Sequence, residues 1–389
     1  MSTIHFDPAQ RVFLIGLQSS CYALRVTEDG RVLHLGSGPL AGEMPWPIAA
    51  PEEYRIPETS WDQQLTAFEY PAAGDVSYHE CALRVVFAEP ARPPTDGERF
   101  SGTVRDLRPR YVSHEIREDA EPGFQPPPEL RVPAAAPRQT LCLLLRDETY
   151  DFELILFYRI TPEHDIIERW VEIRNGTNSP VRIERLDFGC LPLPVGTSAL
   201  TYFSGAWARE FGATKRTLDQ GLFSLEQGGI NTGHAHNPFF LLHAPGGANE
   251  EAGTVWFGAL AYSGNWCLRF ENLPSGHVRV FGGYGSYDFG LDLAPGSSHR
   301  TPACVFGCSG EGVGGASRRL HRFARERVLP KTDRQLRPVL YNSWEATFFD
   351  VNENGQRELA KIAASLGVEL FCVDDGWFGA RSNDSAGLG

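Results

Sequence analysis

The chain has 389 residues, which exceeds a single typical core and therefore predicts two domains. Its formal net charge of -13 and the lack of a Lys- and Arg-rich block disfavour a general nucleic-acid binder. No apolar run approaches the roughly 18 residues of a membrane-spanning helix, and residues 1–10 lack the layout of a signal peptide. We therefore expect a cytoplasmic protein with no nucleic-acid partner and no membrane partner.

The cysteines support this expectation. Eight of them are scattered along the chain, mostly among apolar neighbours, as buried and reduced thiols would be. Cys304 and Cys308 are the closest pair, but their spacing is not CxxC, and no second Cys or His pair completes a zinc site. We expect no metal and no cofactor.

From about Arg11 to Cys308 the sequence predicts many short strands without intervening helices. Residues 21–36 have the pattern of two strands joined at Asp29-Gly30, a strong hairpin signal. Residues 152–174 continue in the same way, with a break at Thr161-Pro162. This succession predicts a large antiparallel β-sandwich.

After Gly315 the apolar period changes from two to about 3.6 residues, which predicts a helix over about 315–329. Leu329-Pro330 ends it. The helix is therefore the expected connector between a first domain, residues 1–330, and a second, residues 331–389. Its apolar face consists of Leu320, Phe323, Ala324 and Val328.

The last segment predicts a strand, a helix and a second strand. Asn352 is a candidate helix cap and Gly367 a candidate stop, and between them apolar residues recur at helical spacing. Polar residues directly follow both strands, as at the carboxyl ends of the strands of a β/α barrel. Such a barrel needs about 250 residues, so these roughly fifty residues predict only its first β/α units and a truncated chain.

Asp374 and Asp375 follow the second strand, and Trp377 follows them after Gly376. An apolar strand that leads into two carboxylates and a tryptophan on a glycine turn resembles the mouth of a sugar-hydrolysing barrel. Consecutive side chains tend to project in different directions, whereas the two carboxyl groups of a glycosidase must flank one bond, so we do not expect them to be the catalytic pair. Carboxylates accept hydrogen bonds from hydroxyls well, which favours holding sugar hydroxyls. The alternative is that one of them only caps the strand or pairs with a loop amide.

Two tryptophans accompany these carboxylates. Trp344 follows the first strand and Trp377 follows the aspartates. An indole can carry the apolar face of a sugar ring while its N–H donates a hydrogen bond. Both are candidate sugar-binding residues, and packing inside the barrel is the alternative, equally weighted for Trp377.

Several separated motifs occur along the chain, at residues 207–210, 233–240, 288–305, 320–323, 341–346 and 374–379. From about Phe68 onward, in sequence and in order, the chain resembles the α-galactosidases of glycoside hydrolase family 36. The resemblance implies an amino-terminal β-supersandwich followed by the first units of a (β/α)8 TIM barrel.

The resemblance also implies a reaction, the retaining hydrolysis of terminal non-reducing α-D-galactosyl residues of melibiose- and raffinose-type galactosides. In the family the nucleophile and the acid/base are aspartates of later barrel strands, beyond Gly389, so we expect this chain alone to be inactive. The family's paired aspartates bind the galactose hydroxyls at carbons four and six, a role that falls here to Asp374 and Asp375. No cofactor is implied.

Three further residues are weaker candidates for contact with substrate or with another subunit. Arg209 lies in a family motif, where a buried ion pair with Glu210 is the preferred interpretation and sugar contact the alternative. Trp61 and Asp62 lie in a loop that, in family tetramers, can approach a neighbour's active site, so a homo-oligomer is also implied. A second class of function stays open: a non-catalytic carbohydrate-binding protein would have the same residues.

Overall fold

The computed structural model describes residues 3–40, 67–74, 79–88, 103–119, 138–229, 232–287, 289–329 and 336–387. Contacts divide the chain into two compact units, Met1–Pro330 and Lys331–Gly389. Trp61 and Asp62 lie outside the described residues. Among the described residues, no helix has both the length and the apolar character needed to cross a membrane.

Among the described residues of the first unit, most of the regular secondary structure is β-strand. In chain order they are β1 (Ile4–Asp7), β2 (Val12–Gly16), β3 (Ser20–Val26), β4 (Val32–Pro39), β5 (Leu83–Phe87), β6 (Pro109–Asp119), β7 (Arg138–Asp147), β8 (Phe152–Thr161), β9 (Ile166–Asn175), β10 (Val181–Leu193), β11 (Ala199–Ala206), β12 (Arg209–Thr217), β13 (Gly221–Glu226), β14 (His236–His243), β15 (Val255–Ala261), β16 (Trp266–Asn272), β17 (Val278–Tyr284), β18 (Leu291–Leu293), β19 (Ser298–Arg300) and β20 (Ala303–Ser309).

These strands form three sheets, and every pairing between them is antiparallel. One sheet has the order β1-β2-β3-β4. A second has the order β13-β16-β17-β10-β18, with β5 also paired to β10. The largest has the order β12-β11-β14-β15-β20-β9-β8-β7-β6, with β19 paired to β9. The predicted antiparallel sandwich is confirmed.

The local signals in the sequence correspond to observed turns. Strands β3 and β4 form the predicted hairpin, and Gly30 in its turn has a φ of 80°, which favours glycine. Strands β8 and β9 are separated at Pro162–His164, a short 3-10 helix. Apolar side chains from all three sheets then pack into one core, with Phe13, Leu156 and Phe281 fully buried in it.

A buried ion pair lies inside this core. Arg169 Nη1 donates to Glu69 Oε1 at 2.8 Å, and both side chains are 0% exposed. The hydroxyls of Tyr22 and Tyr158 also donate to the Glu69 carboxylate, at 2.7 to 2.8 Å. Burial alone would raise the pKa of Glu69, but Arg169, followed by His34, holds it below its usual range. The carboxylate is therefore ionised and its partners compensate for the burial.

Helix α1 (Gly312–Phe323) follows β20 and continues as a π-helical turn, Ala324–Val328. Phe323 and Ala316 on its apolar face pack against β15 and β20 in a second, smaller core. The helix begins three residues before the predicted start, and Val328 at its end is exposed.

The second unit contains β21 (Leu340–Asn342), α2 (Trp344–Thr347), α3 (Glu353–Ser365) and β22 (Leu370–Cys372). Strands β21 and β22 are parallel, with Leu340 opposite Leu370 and Asn342 opposite Cys372. Strand, helix and parallel strand follow in the predicted order. Of the apolar residues that predicted α3, Ala363 is buried, whereas Ile362 and Leu366 are exposed.

Candidate functional site

The candidate site lies at the carboxyl ends of β21 and β22. Because the two strands are parallel and in register, the residues that follow them reach the same edge of the sheet. The amide of Ser343 donates to the carbonyl of Cys372 at 3.0 Å, which joins the two strand ends. Helix α3 connects the strands; the Asn352 side chain caps it by accepting from the Gly355 amide at 2.8 Å. Local sequence thus places Ser343 and Asp374 side by side.

Asp374 is held by donors from both strand ends. Asn342 Nδ2 donates to its Oδ2 at 2.6 Å, and the Asp375 amide donates to its Oδ1 at 2.7 Å. The Asp374 amide donates to Ser343 Oγ at 3.3 Å. The Asn342 amide group, and after it the Asp375 amide, hold the pKa of Asp374 below its usual range. Asp374 is therefore an ionised acceptor at neutral pH, with lone pairs left for a ligand.

Asp375 has a different partner. Arg381 Nη2 donates to its Oδ2 at 3.0 Å. The guanidinium group also lies 5.1 Å from the ring centre of Phe349, which follows β21. The two neighbouring carboxylates are thus fixed separately, one by a neutral amide and the other by a cation.

The two tryptophans differ in their surroundings. Trp344 is half-buried, its ring is perpendicular to that of Phe349 at 4.9 Å, and its amide donates to Asn342 Oδ1 at 2.8 Å. Trp377 is 66% exposed and contacts the edge of Phe378. Trp344 therefore has a fixed position beside the carboxylates, whereas Trp377 offers an open indole face.

The turn after the carboxylates requires glycine at position 376. Gly376 has a φ of 97°, and a Cβ there would lie 2.9 Å from the carbonyl oxygen of Phe349 and 3.0 Å from Val351 Cγ2. The turn that presents Asp374 and Asp375 therefore packs directly on the segment after β21.

We expect Gly376→Ala to lower the free energy of unfolding of the second unit by about 2–4 kcal/mol, from backbone strain plus collision. Gly379→Ala is the matched control, since Gly379 also has a positive φ but has nothing within 4 Å of the place that a Cβ would take. Strain alone predicts a loss of about 1–2 kcal/mol there. Urea unfolding followed by tryptophan fluorescence measures both, and equal losses would show that the contact with Phe349 contributes nothing.

Comparison with known families shows which family this chain belongs to. Residues 47–294 match the model of the glycosyl hydrolase family 36 N-terminal domain, and residues 298–389 match the melibiase model. The chain belongs to glycosyl hydrolase family 36. The candidate site lies wholly within the melibiase match.

Individual α-galactosidases are also similar to this family 36 chain. The α-galactosidase AgaA of Geobacillus stearothermophilus is 29% identical over 396 residues, covering 100% of this chain and 52% of that protein. The crystal structure of the Lactobacillus brevis α-galactosidase aligns with a TM-score of 0.86 at 27% identity, covering 98% of this chain and 50% of that one. A variant of the Geobacillus AgaA in complex with raffinose aligns with a TM-score of 0.81 at 28% identity, covering 96% and 51%.

The family 36 chain spans about half the length of each of these three relatives. Over that span, the structural alignments support the predicted β-rich first part followed by the start of a barrel.

Arg209 lies far along the chain from these carboxylates, at the β11–β12 turn. It is exposed, as is Glu210, whose carboxylate accepts from the Ala208 amide at 2.8 Å. The buried Arg209–Glu210 ion pair expected from the sequence is therefore wrong. The reason is the turn: Trp207 and Ala208 form a two-residue loop that projects these side chains outward.

Sequence reasoning missed two residues of the site as individual contributors, Asn342 and Arg381. Asn342 is the last residue of β21 and lies opposite Cys372, and Cys372 is two residues before Asp374. The parallel pairing of the two strands was therefore the signal that could have placed Asn342 next to Asp374. Arg381 follows the carboxylates by six residues, and only the turn through Gly376 and Gly379 brings it back to Asp375.

Proposed function

We propose that this protein is an α-galactosidase that hydrolyses terminal non-reducing α-D-galactosyl residues, as in melibiose- and raffinose-type oligosaccharides, with retention of configuration. The observation that carries the proposal is the pair Asp374 and Asp375, which follow the second of two parallel strands and whose carboxylates are held by protein donors, Asp374 at both oxygens and Asp375 at one. The family and the raffinose complex of a relative support it.

The geometry suits the recognition of a sugar ring. Two fixed carboxylates accept hydrogen bonds from neighbouring hydroxyls, and such charge-assisted bonds are the stronger kind. An isomer with one hydroxyl misplaced would leave one of these acceptors without its hydrogen bond, which is how a site of this type rejects it. Trp344, which follows β21, and Trp377, which follows the carboxylates, supply aromatic surface for the apolar face of the ring.

Asp374 and Asp375 are not proposed as the catalytic pair. Retaining hydrolysis needs two carboxyl groups about 5–5.5 Å apart on opposite sides of one bond. Here the two carboxylates are consecutive, and each is committed to a local donor, Asn342 or Arg381. We propose that the nucleophile and the acid/base belong to parts of the relatives' length that these 389 residues do not span.

The test compares two proteins, the product of the complete reading frame that encodes this chain and the 389-residue chain itself. We expect the first to release galactose from p-nitrophenyl α-D-galactoside and from raffinose, with the α-anomer as the first product by NMR. We expect the second to release none above background. Hydrolysis by the purified 389-residue chain would overturn the assignment of the catalytic groups.

A different result would favour the other class of function. If the complete product binds galactose, measured by calorimetry, but hydrolyses no α-galactoside, the protein is a carbohydrate-binding protein. If it neither binds nor hydrolyses, the proposal fails altogether.

We also propose a reducing, cytoplasmic location, supported by eight cysteines scattered along the chain, seven of them buried. Assembly into a homo-oligomer stays a prediction, since Trp61 and Asp62, its candidate contact residues, lie outside the described residues.

A further inference from the structure

Arg381 is a buried cation on an otherwise exposed segment. Its side chain is 7% exposed, whereas both neighbours, Ala380 and Ser382, are exposed. Burying a charge is costly unless it is paired and hydrogen-bonded, so this side chain must be held by specific partners.

The partners use the two ends of the guanidinium fork. Nη2 donates to Asp375 Oδ2 at 3.0 Å and lies 3.9 Å from the exposed carboxylate of Asp384. Nη1 donates to the carbonyls of Asn383 at 2.8 Å and Ala386 at 2.9 Å. Arg381 therefore ties the Asp375 carboxylate to the loop that follows it.

One oxygen of Asp375 is left over. Within the described ranges its Oδ1 atom has no hydrogen-bond partner, and its side chain is 35% exposed. Arg381 Nε is also buried without an acceptor among those residues. An arginine whose only task was stability would be expected to satisfy that donor, and unsatisfied buried groups call for an explanation. Arg381 instead holds Oδ2 of Asp375 and leaves Oδ1 able to accept a hydrogen bond from a ligand.

We propose that Arg381 is a positioning residue that orients Asp375, so that Oδ1 accepts one hydroxyl of the galactosyl ring. The inference rests on the proposed function. Lysine cannot replace it fully, because an ammonium group lacks the planar fork that spans a carboxylate and two carbonyls.

The experiment is a double-mutant cycle in the product of the complete reading frame, with the inhibition constant of galactose as the readout. We expect Arg381→Gln to weaken galactose binding about tenfold or more. It should add less than about twofold to Asp375→Asn, because the group it positions is already altered. In the Asp374→Asn background, Arg381→Gln should weaken galactose binding by the same factor as in the wild type, because Asn342, not Arg381, holds Asp374.

Two further measurements separate positioning from general support of the fold. Arg381→Lys should bind galactose with an affinity between those of the wild type and Arg381→Gln. Across singly deoxygenated galactoses, Arg381→Gln and Asp375→Asn should lose discrimination at the same hydroxyl and at no other. Thermal unfolding of each variant identifies any that fail to fold. If Arg381→Gln is one of them, Arg381→Lys replaces it in the double-mutant cycle.

The outcomes are distinct. Equal losses on the Asp374→Asn and Asp375→Asn backgrounds, or unchanged galactose binding by Arg381→Gln, would overturn the role of Arg381 and leave the proposed function standing. Wild-type protein that binds no galactose would overturn both.

Discussion

Asp374→Asn is expected to lower kcat/KM for p-nitrophenyl α-D-galactoside by about a hundredfold or more in the product of the complete reading frame. A hydrogen bond to a charged acceptor contributes about 1.5–3 kcal/mol, and about 1.4 kcal/mol is a factor of ten. The substitution removes the charge and replaces one acceptor oxygen by an NH2 donor. Because both Asp374 oxygens accept from N–H groups, of Asn342 and of the Asp375 amide, that NH2 would face a donor in either orientation.

The control for this variant is Glu358→Gln, which removes an equal charge from the exposed surface of α3, where Glu358 pairs only with Lys361 among the described residues. It should leave kcat/KM within about twofold of the wild type, since exposed pairs contribute little. Discrimination between α-galactoside and α-glucoside should fall in Asp374→Asn alone. Unchanged activity in Asp374→Asn would remove Asp374 from the site.

Arg169→Met is expected to lower the free energy of unfolding of the first unit by about 3–5 kcal/mol, because it leaves the Glu69 carboxylate buried without its cation. The double variant Arg169→Met with Glu69→Gln should recover part of this loss, since no buried charge remains. Urea unfolding at neutral pH measures the wild type and both variants. A double variant no more stable than the single one would show that the buried charge is not the cause.

The pH dependence gives this prediction a second test. In the wild type the pKa of Glu69 lies below its ordinary 4.5, so the ionised carboxylate stabilises the fold above that pH, and this contribution is lost as the pH falls further. In Arg169→Met, burial without the cation raises the pKa of Glu69. Its contribution should then reverse sign, and the variant should gain stability relative to the wild type as the pH falls toward 4.5.

The sequence was sufficient where structure depends on near neighbours. The hairpin at Gly30, the cap at Asn352 and the stop at Gly367, which has a φ of 86°, all lie where local turn and capping chemistry placed them. The order of strand, helix and parallel strand also followed from the apolar period. Asp374 and Asp375 could be singled out because they directly follow an apolar strand.

Contacts between distant residues could not be obtained in this way. Glu69 and Arg169 are 100 positions apart, and neither segment shows in its composition that the other will neutralise it. Arg381 is close to Asp375 in sequence, but its contact depends on the path of a turn that has positive φ at two glycines. The exposure of Arg209 and Glu210 likewise depended on a two-residue loop at the end of β11. Pairing and turn geometry, not residue type, decided these three cases.

The most direct test of the account is a crystal structure of the protein with D-galactose bound. Hydroxyls of one galactose should lie within about 3.2 Å of carboxylate oxygens of both Asp374 and Asp375, with Asn342 still donating to Asp374 and Arg381 still donating to Asp375. Galactose bound elsewhere, with Asp374 and Asp375 contacting only protein, would contradict it.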